Sequence, residues 1–281
     1  MNINDYAEQA SDIFVLSDSF VRIKELIDDE SSTIDDIADV ILLDPALAGT
    51  ILKLANSSFF NYPGKIDTVS KAVLVLGITE VYNLVIAFFT SKAFNKLTAE
   101  QDYLDNFWCK SVDCALIIKF IGVKLAIPNA ERLFILGLLH NLGELVVQQL
   151  SPEKVYAANM ISSSELPWHR QNAVLGFSFG DCAAELLKQW QLPFTIIEPI
   201  RNQDNDDFEF SSDESKLLYL AKRIMLMNYD CKSHPVELLL NENALQQLPI
   251  DQNMLQGASN FCDLERLSIL AILNPSSAMI Y

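Results

Sequence analysis

The chain has 281 residues, 50% hydrophobic and 20% charged, enough apolar material for one large core or two fused ones and too little polarity for a disordered chain. Its 20 basic and 37 acidic residues leave a net charge of −17, with Lys and Arg scattered singly. A nucleic acid or an anionic membrane surface calls for a basic stripe, so neither is expected as a partner.

The opening MNINDYAEQASD is acidic and lacks the basic-then-apolar order of a signal peptide. The longest uninterrupted apolar run, residues 84–89, falls far short of the ~20 residues that span a bilayer. A cytoplasmic chain is expected. Residues 14–97 then read as a series of short helices. Thr33 and Asp36 fit a capping pair, followed by Ile34, Ile37, Ala38 and Ile41 at helical spacing. Asp44-Pro45 ends that helix and starts the next, which closes at Asn56-Ser57, and Tyr62-Pro63-Gly64 is a turn. For Phe59, Phe60 and Tyr62, core packing is favoured over an exposed aromatic patch. Val69, Ala72, Val73 and Leu76 open another amphipathic helix, broken at Gly77.

After a junction near residues 97–105, the periodicity predicts helices over 107–125, 130–150, 180–190 and 216–228. Pro128-Asn129, residues 162–164 and Leu192-Pro193 punctuate them. The acidic run over residues 201–215 reads as a solvated connection. With only nine Gly and ten Pro, well below the ~12% of an average chain, the expected class is all-α. Two subdomains are expected, residues 1–97 and residues 98–281, the second with a C-terminal helical extension. Five widely spaced cysteines without a CxxC pair suggest neither a disulfide framework nor a thiolate zinc site.

The stretch FILGLLHNLGELVV sets His140 and Asn141 within an apolar helix pattern. His140 is read first as a buried histidine bonded to its neighbours, Asn141 among them, and second as a general base or lone ligand. Glu144, four residues on, is a candidate to orient the imidazole; a solvated glutamate is the competing account. His169 and His234 fall on expected loops and share no motif with His140, which argues against a three-histidine metal site.

Together, ILLDPALAGTILKLANSSFFNYPGKIDTVSKAVLVLGI (residues 41–78), FILGLLHNLGELVV and AELLKQWQLP (residues 184–193) resemble the HDOD family, the HD-related output domain of bacterial signalling proteins. The resemblance extends over roughly residues 14–225 and implies an HD-like second subdomain. HD-type phosphohydrolases hold a divalent metal with His and Asp side chains, and the metal activates a water and clamps phosphate oxygens. Carried over position by position, the resemblance places Lys110 at the first His, His140 and Asn141 at the His-Asp pair, and Lys222 at the last Asp. Other family histidines would fall near Phe179 and Asn202-Gln203. Only His140 survives as a ligand type. An ammonium ~4 Å from a unit positive charge is repelled by about 4 kcal/mol at an effective dielectric of ~20.

The expectation is therefore a non-catalytic regulatory module that acts through a signalling-protein partner of unknown identity, with no metal or other cofactor and no catalytic residue. A homodimer is left open. One alternative is a metal-dependent phosphohydrolase of the HD superfamily, which would need a divalent metal. A further one is a nucleotide or anion sensor using the cavity where Lys110, His140, Asn141 and Lys222 would converge, unless the lysines pair with Asp113 or Glu144 and seal it.

Overall fold

Short polar side chains set most of the helix starts, by accepting from amides that the first turn leaves free. In a computed structural model describing residues 1–29, 31–60, 62–94, 97–128, 130–160, 165–208, 211–229, 239–240 and 251–273, all regular elements among the described residues are helices. Asn2 caps α1 (Ile3–Ile13) and Ser17 caps α2 (Asp18–Asp28). Thr33 and Asp36 form the expected reciprocal pair at the start of α3 (Ile34–Leu42), with bonds of 3.2 and 2.8 Å. Asp44 caps α4 (Pro45–Ala55), whose first residue is the proline that has no amide to satisfy.

Asn56 closes α4 and does more. Its Nδ2 donates to the carbonyls of Leu52 (2.7 Å) and Ile66 (2.6 Å), while the Ile66 amide donates back to Oδ1 at 2.9 Å. One side chain thus caps a helix and pins the connection to α5 (Val69–Leu76). Gly77, at φ +89°, then turns the chain through 119° into α6 (Ile78–Phe94), a backbone angle that few other residues adopt readily. Phe20 of α2 packs on Tyr82 and Phe89 of α6 at ring distances of 6.3 and 5.7 Å. Phe59 joins the core, while Tyr62 is exposed.

The chain forms two compact units: Val15–Lys96 with Glu265–Tyr281, and Met1–Phe14 with Leu97–Leu264. The expected division into residues 1–97 and 98–281 is corrected at both ends. Helix α1 joins the second unit, where the Tyr6 hydroxyl donates to Ser151 Oγ at 2.8 Å and its ring meets Phe177 edge-on. The last helix, α15 (Gln252–Leu273), passes from that unit into the first, where Ser91 Oγ donates to the Leu273 carbonyl at 3.0 Å.

In the second unit α7 (Gln101–Lys124) lies against α8 (Leu133–Leu139) and α14 (Asp213–Tyr229). Gly137 permits the first contact: a Cβ there would lie 2.4 Å from Ala115 backbone atoms. The helix expected over residues 130–150 is a 3₁₀ turn (Ala130–Arg132), α8 and α9 (Leu142–Leu150), broken at His140 and Asn141. Leu133–Leu150 is apolar enough by length and composition to cross a membrane, but 72% of it is buried inside the protein, as in a core helix. The helices expected over 180–190 and 216–228 are α12 (Phe179–Gln189) and α14. Four helices of this unit went unpredicted: α1, α10 (Pro152–Ala158), α11 (Pro167–Leu175) and α13 (Phe194–Asn202). His169, expected on a loop, lies in α11; residues 162–164, Asn129, Cys231 and His234 lie outside the described residues.

Candidate functional site

Helical spacing gathers the polar residues of the second unit on one cavity. Tyr103, Asn106, Phe107, Lys110 and Ser111 share a face of α7, and Lys222, Met225, Leu226 and Tyr229 share a face of α14. His140, Asn141 and Glu144 enter from the break between α8 and α9, Arg170 and Gln171 from α11, and Asn159 and Met160 from the end of α10. The cavity they line measures about 300 Å³. All four positions carried over from the family, and Glu144, therefore face one space.

His140 is 2% exposed, and its Nδ1 lies 2.6 Å from the Gly137 carbonyl. A carbonyl only accepts, so Nδ1 carries the hydrogen and Nε2 the lone pair. Burial, reinforced by the Lys222 ammonium, pushes the imidazole pKa down to about 3, and the ring is neutral near pH 7. Its own carbonyl accepts from Gln203 Nε2 at 2.8 Å. Gln203 is one of the positions where the resemblance puts another family histidine; here it supports the backbone at the helix break.

Asn141 and Glu144 are not the imidazole's partners. Asn141 Nδ2 donates to Glu144 Oε2 at 2.5 Å, and Glu144 Oε1 accepts from Tyr103 (3.1 Å) and Asn159 Nδ2 (2.8 Å). One carboxylate thus collects three neutral donors. Burial, and then the nearby Glu144 charge, push the Tyr103 phenol well above its ordinary pKa, so it stays a donor.

Lys222 is 4% exposed and donates to both oxygens of Asp204, at 2.7 and 2.8 Å, with Nζ 4.9 Å from the centre of the Trp168 ring. Its partner is neither Asp113 nor Glu144. The next residue, Arg223, is fully buried, donates to the Leu239 and Tyr219 carbonyls, and lies 3.6 Å from Asp206. Asp206 also accepts from the Tyr219 hydroxyl at 2.7 Å. Part of the acidic run expected as a solvated connection is an ionic clasp on α14.

The remaining cations of the cavity are held less firmly. Lys110 is half-buried, with Nζ 5.7 Å from the centre of the Tyr229 ring, and has no ion pair among the described residues. Arg170 donates from Nε to the Ala157 carbonyl at 3.1 Å and likewise has no acidic partner among the described residues. Ser111 is 1% exposed, and its Oγ has no hydrogen-bond partner among the described residues. Sequence reasoning missed Arg170, Gln171 and Ser111. Pro167, which can open a helix and would set Arg170 and Gln171 on one face, was the available signal.

The divalent metal of HD-type enzymes does not fit these residues. Next to His140 stand an amide committed to Glu144 and an ammonium committed to Asp204. Among the described residues no group of three or more His, Cys, Asp or Glu side chains is placed to hold a metal ion. Cys109, Cys114, Cys182 and Cys262 are buried and form no disulfide among the described residues, and burial pushes the thiols of Cys114 and Cys182 up, away from the reactive thiolate.

The HDOD domain profile matches residues 13–206, and the chain belongs to the HDOD family. An uncharacterized protein of Treponema pallidum is 28% identical over 202 residues, which are 71% of this chain and 39% of that one, so the chain spans well under half of that relative. Among solved structures, a presumed phosphohydrolase of Shewanella amazonensis SB2B superposes with a TM-score of 0.72 at 21% identity, covering 97% of this chain and 98% of the other. An HDOD domain protein of unknown function from Geobacter sulfurreducens gives a TM-score of 0.65 at 19% identity, with 93% and 92% covered. A presumed signal transduction protein of Marinobacter aquaeolei VT8 gives 0.66 at 24% identity, with 93% of this chain and 59% of that one covered. At these identities the likeness is one of fold.

Proposed function

We propose that this chain is a regulatory HDOD module, cytoplasmic and bacterial, which works through contacts with a signalling-protein partner and does not hydrolyse phosphoesters with a metal. The observation that carries this reading is the Lys222–Asp204 pair. At the place where the family resemblance puts a ligand carboxylate, a buried ammonium stands with both oxygens of an aspartate on it. A buried pair of this kind resists opening, because either partner left alone bears an uncompensated charge. A cation bound at His140 would also face the repulsion of Lys222, which already disfavours the protonated imidazole.

The competing reading is a metal-dependent phosphohydrolase, the activity presumed for a second Shewanella amazonensis SB2B protein of like fold. Fold alone does not carry an activity across. The test is to supply Mn²⁺, Mg²⁺ or Zn²⁺ to the purified chain with nucleotides, cyclic dinucleotides and a chromogenic phosphoester. No turnover above the buffer rate is expected. Turnover that is lost in His140→Ala would overturn the reading.

A further inference from the structure

The cavity has more binding capacity than its internal bonds consume. Lys110 and Arg170 face it without acidic partners among the described residues, in a chain that carries −17 overall. Of the two acids on its wall, Glu144 is engaged by Tyr103, Asn141 and Asn159, and Glu165 is the other. The third cation, Lys222, is neutralised by Asp204.

We propose that this cavity binds, without cleaving it, a small phosphate monoester of mononucleotide size, with Lys110 and Arg170 on the phosphate. The size follows from the volume: about 300 Å³ lies at the small end of the ~300–1,000 Å³ typical of ligand sites, and Tyr103, Asn159 and Met160 also line a neighbouring cleft of about 970 Å³. The body of the ligand is chosen by the apolar part of the wall, Phe107, Met225 and Tyr229, against which a planar base can lie. A guanidinium and an ammonium suit a phosphate in complementary ways, one by a planar fork and the other as a point charge. The absence of cleavage rests on the non-catalytic reading above, whereas the binding does not.

The test is calorimetric titration of the full chain with AMP, and separately with adenosine and with inorganic phosphate, followed by chromatography of the cell contents. Saturable one-to-one binding of AMP is expected, weaker binding of phosphate, little of adenosine, and intact AMP at the end. Lys110→Gln and Arg170→Gln should each weaken AMP by about tenfold or more, as losses of charge-assisted hydrogen bonds do. Lys110→Arg, which keeps the charge, should bind close to wild type, and thermal melting confirms that each variant is folded. No saturable binding at millimolar AMP or phosphate overturns the inference and leaves the non-catalytic reading standing. Equal binding of adenosine and AMP, or binding unmoved in both glutamine variants, overturns it too. AMP bound and then split to adenosine and phosphate keeps the site and overturns the non-catalytic reading.

Discussion

In the unit formed largely by residues 15–96, polar side chains at the helix ends act close to home, although Ser91 reaches Leu273 and Lys92 reaches Asp44. Thr33 bonds Asp36 three residues away, Asp44 caps the two amides after Pro45, and Asn56 reaches ten residues on to Ile66. In the unit that carries the cavity they act across the chain: Tyr103 reaches Glu144 over 41 residues, and Gln203 reaches the His140 backbone over 63. The first kind of contact sits at helix ends where water competes, and it sets boundaries. The second is buried, so each broken contact leaves a desolvated group, and the cost rises accordingly.

This contrast can be broken most sharply at glycine. Gly137→Ala puts a Cβ about 2.4 Å from the Ala115 backbone, which cannot rotate aside, so α8 must move off α7. The expected loss is about 3 kcal/mol or more by urea denaturation. Gly49→Ala, inside α4 with nothing within 4 Å, should instead gain about 0.5–1 kcal/mol from helix propensity. Equal effects at the two sites would erase the distinction between the units.

Ion pairs come next. Asp204→Ala leaves Lys222 buried and alone, and about 3 kcal/mol should be lost. The double change to Asp204→Asn with Lys222→Met should recover most of it. By contrast, Lys92→Ala opens a pair whose lysine side chain is 55% exposed, and denaturation should register less than about 1 kcal/mol.

The buried imidazole gives a smaller, pH-dependent effect. In the unfolded chain His140 takes its proton near pH 6.5, and in the folded chain only near pH 3. Between those values the unfolded state binds more protons, so the stability present at pH 7 falls as pH drops below 6.5. The loss from this one group should reach about 2 kcal/mol at pH 5. His140→Asn keeps a donor for the Gly137 carbonyl and should remove that part of the slope between denaturation curves at pH 7 and pH 5. An unchanged slope would place the ring in water. Smaller than the histidine effect is Thr33→Ala, which loses one cap at the start of α3 and should cost about 1 kcal/mol in the same assay.

The same contrast explains what was legible in the sequence. Cap residues announce themselves because their chemistry is completed within a few positions, so the amino-acid order alone places Thr33, Asp44 and Asn56 at helix ends. The family resemblance brought His140, Asn141, Lys110 and Lys222 to one cavity, and periodicity put Lys110 and Lys222 on helices. The partners were not legible. Nothing local in NQDNDDFEF distinguishes Asp204, held by Lys222, or Asp206, beside Arg223, from an acid that stays in water, because the lysine is 18 residues away from Asp204 and the arginine follows it. The break at His140-Asn141 was hidden by an unbroken apolar pattern, and the site residues of α11 by a helix only nine residues long. The passage of both chain ends into the other unit depends on tertiary packing that periodicity does not encode.

The central claim is that the HDOD cavity survives here without the means to hold a metal. Its most direct test is metal stoichiometry by elemental mass spectrometry, on protein purified without a histidine tag or chelator and then equilibrated with Mn, Fe, Mg or Zn. A stoichiometry well below one ion per chain in every case is the predicted result. One or two ions held tightly, and lost in His140→Ala, would contradict it and make Asp204 release Lys222 to admit the metal.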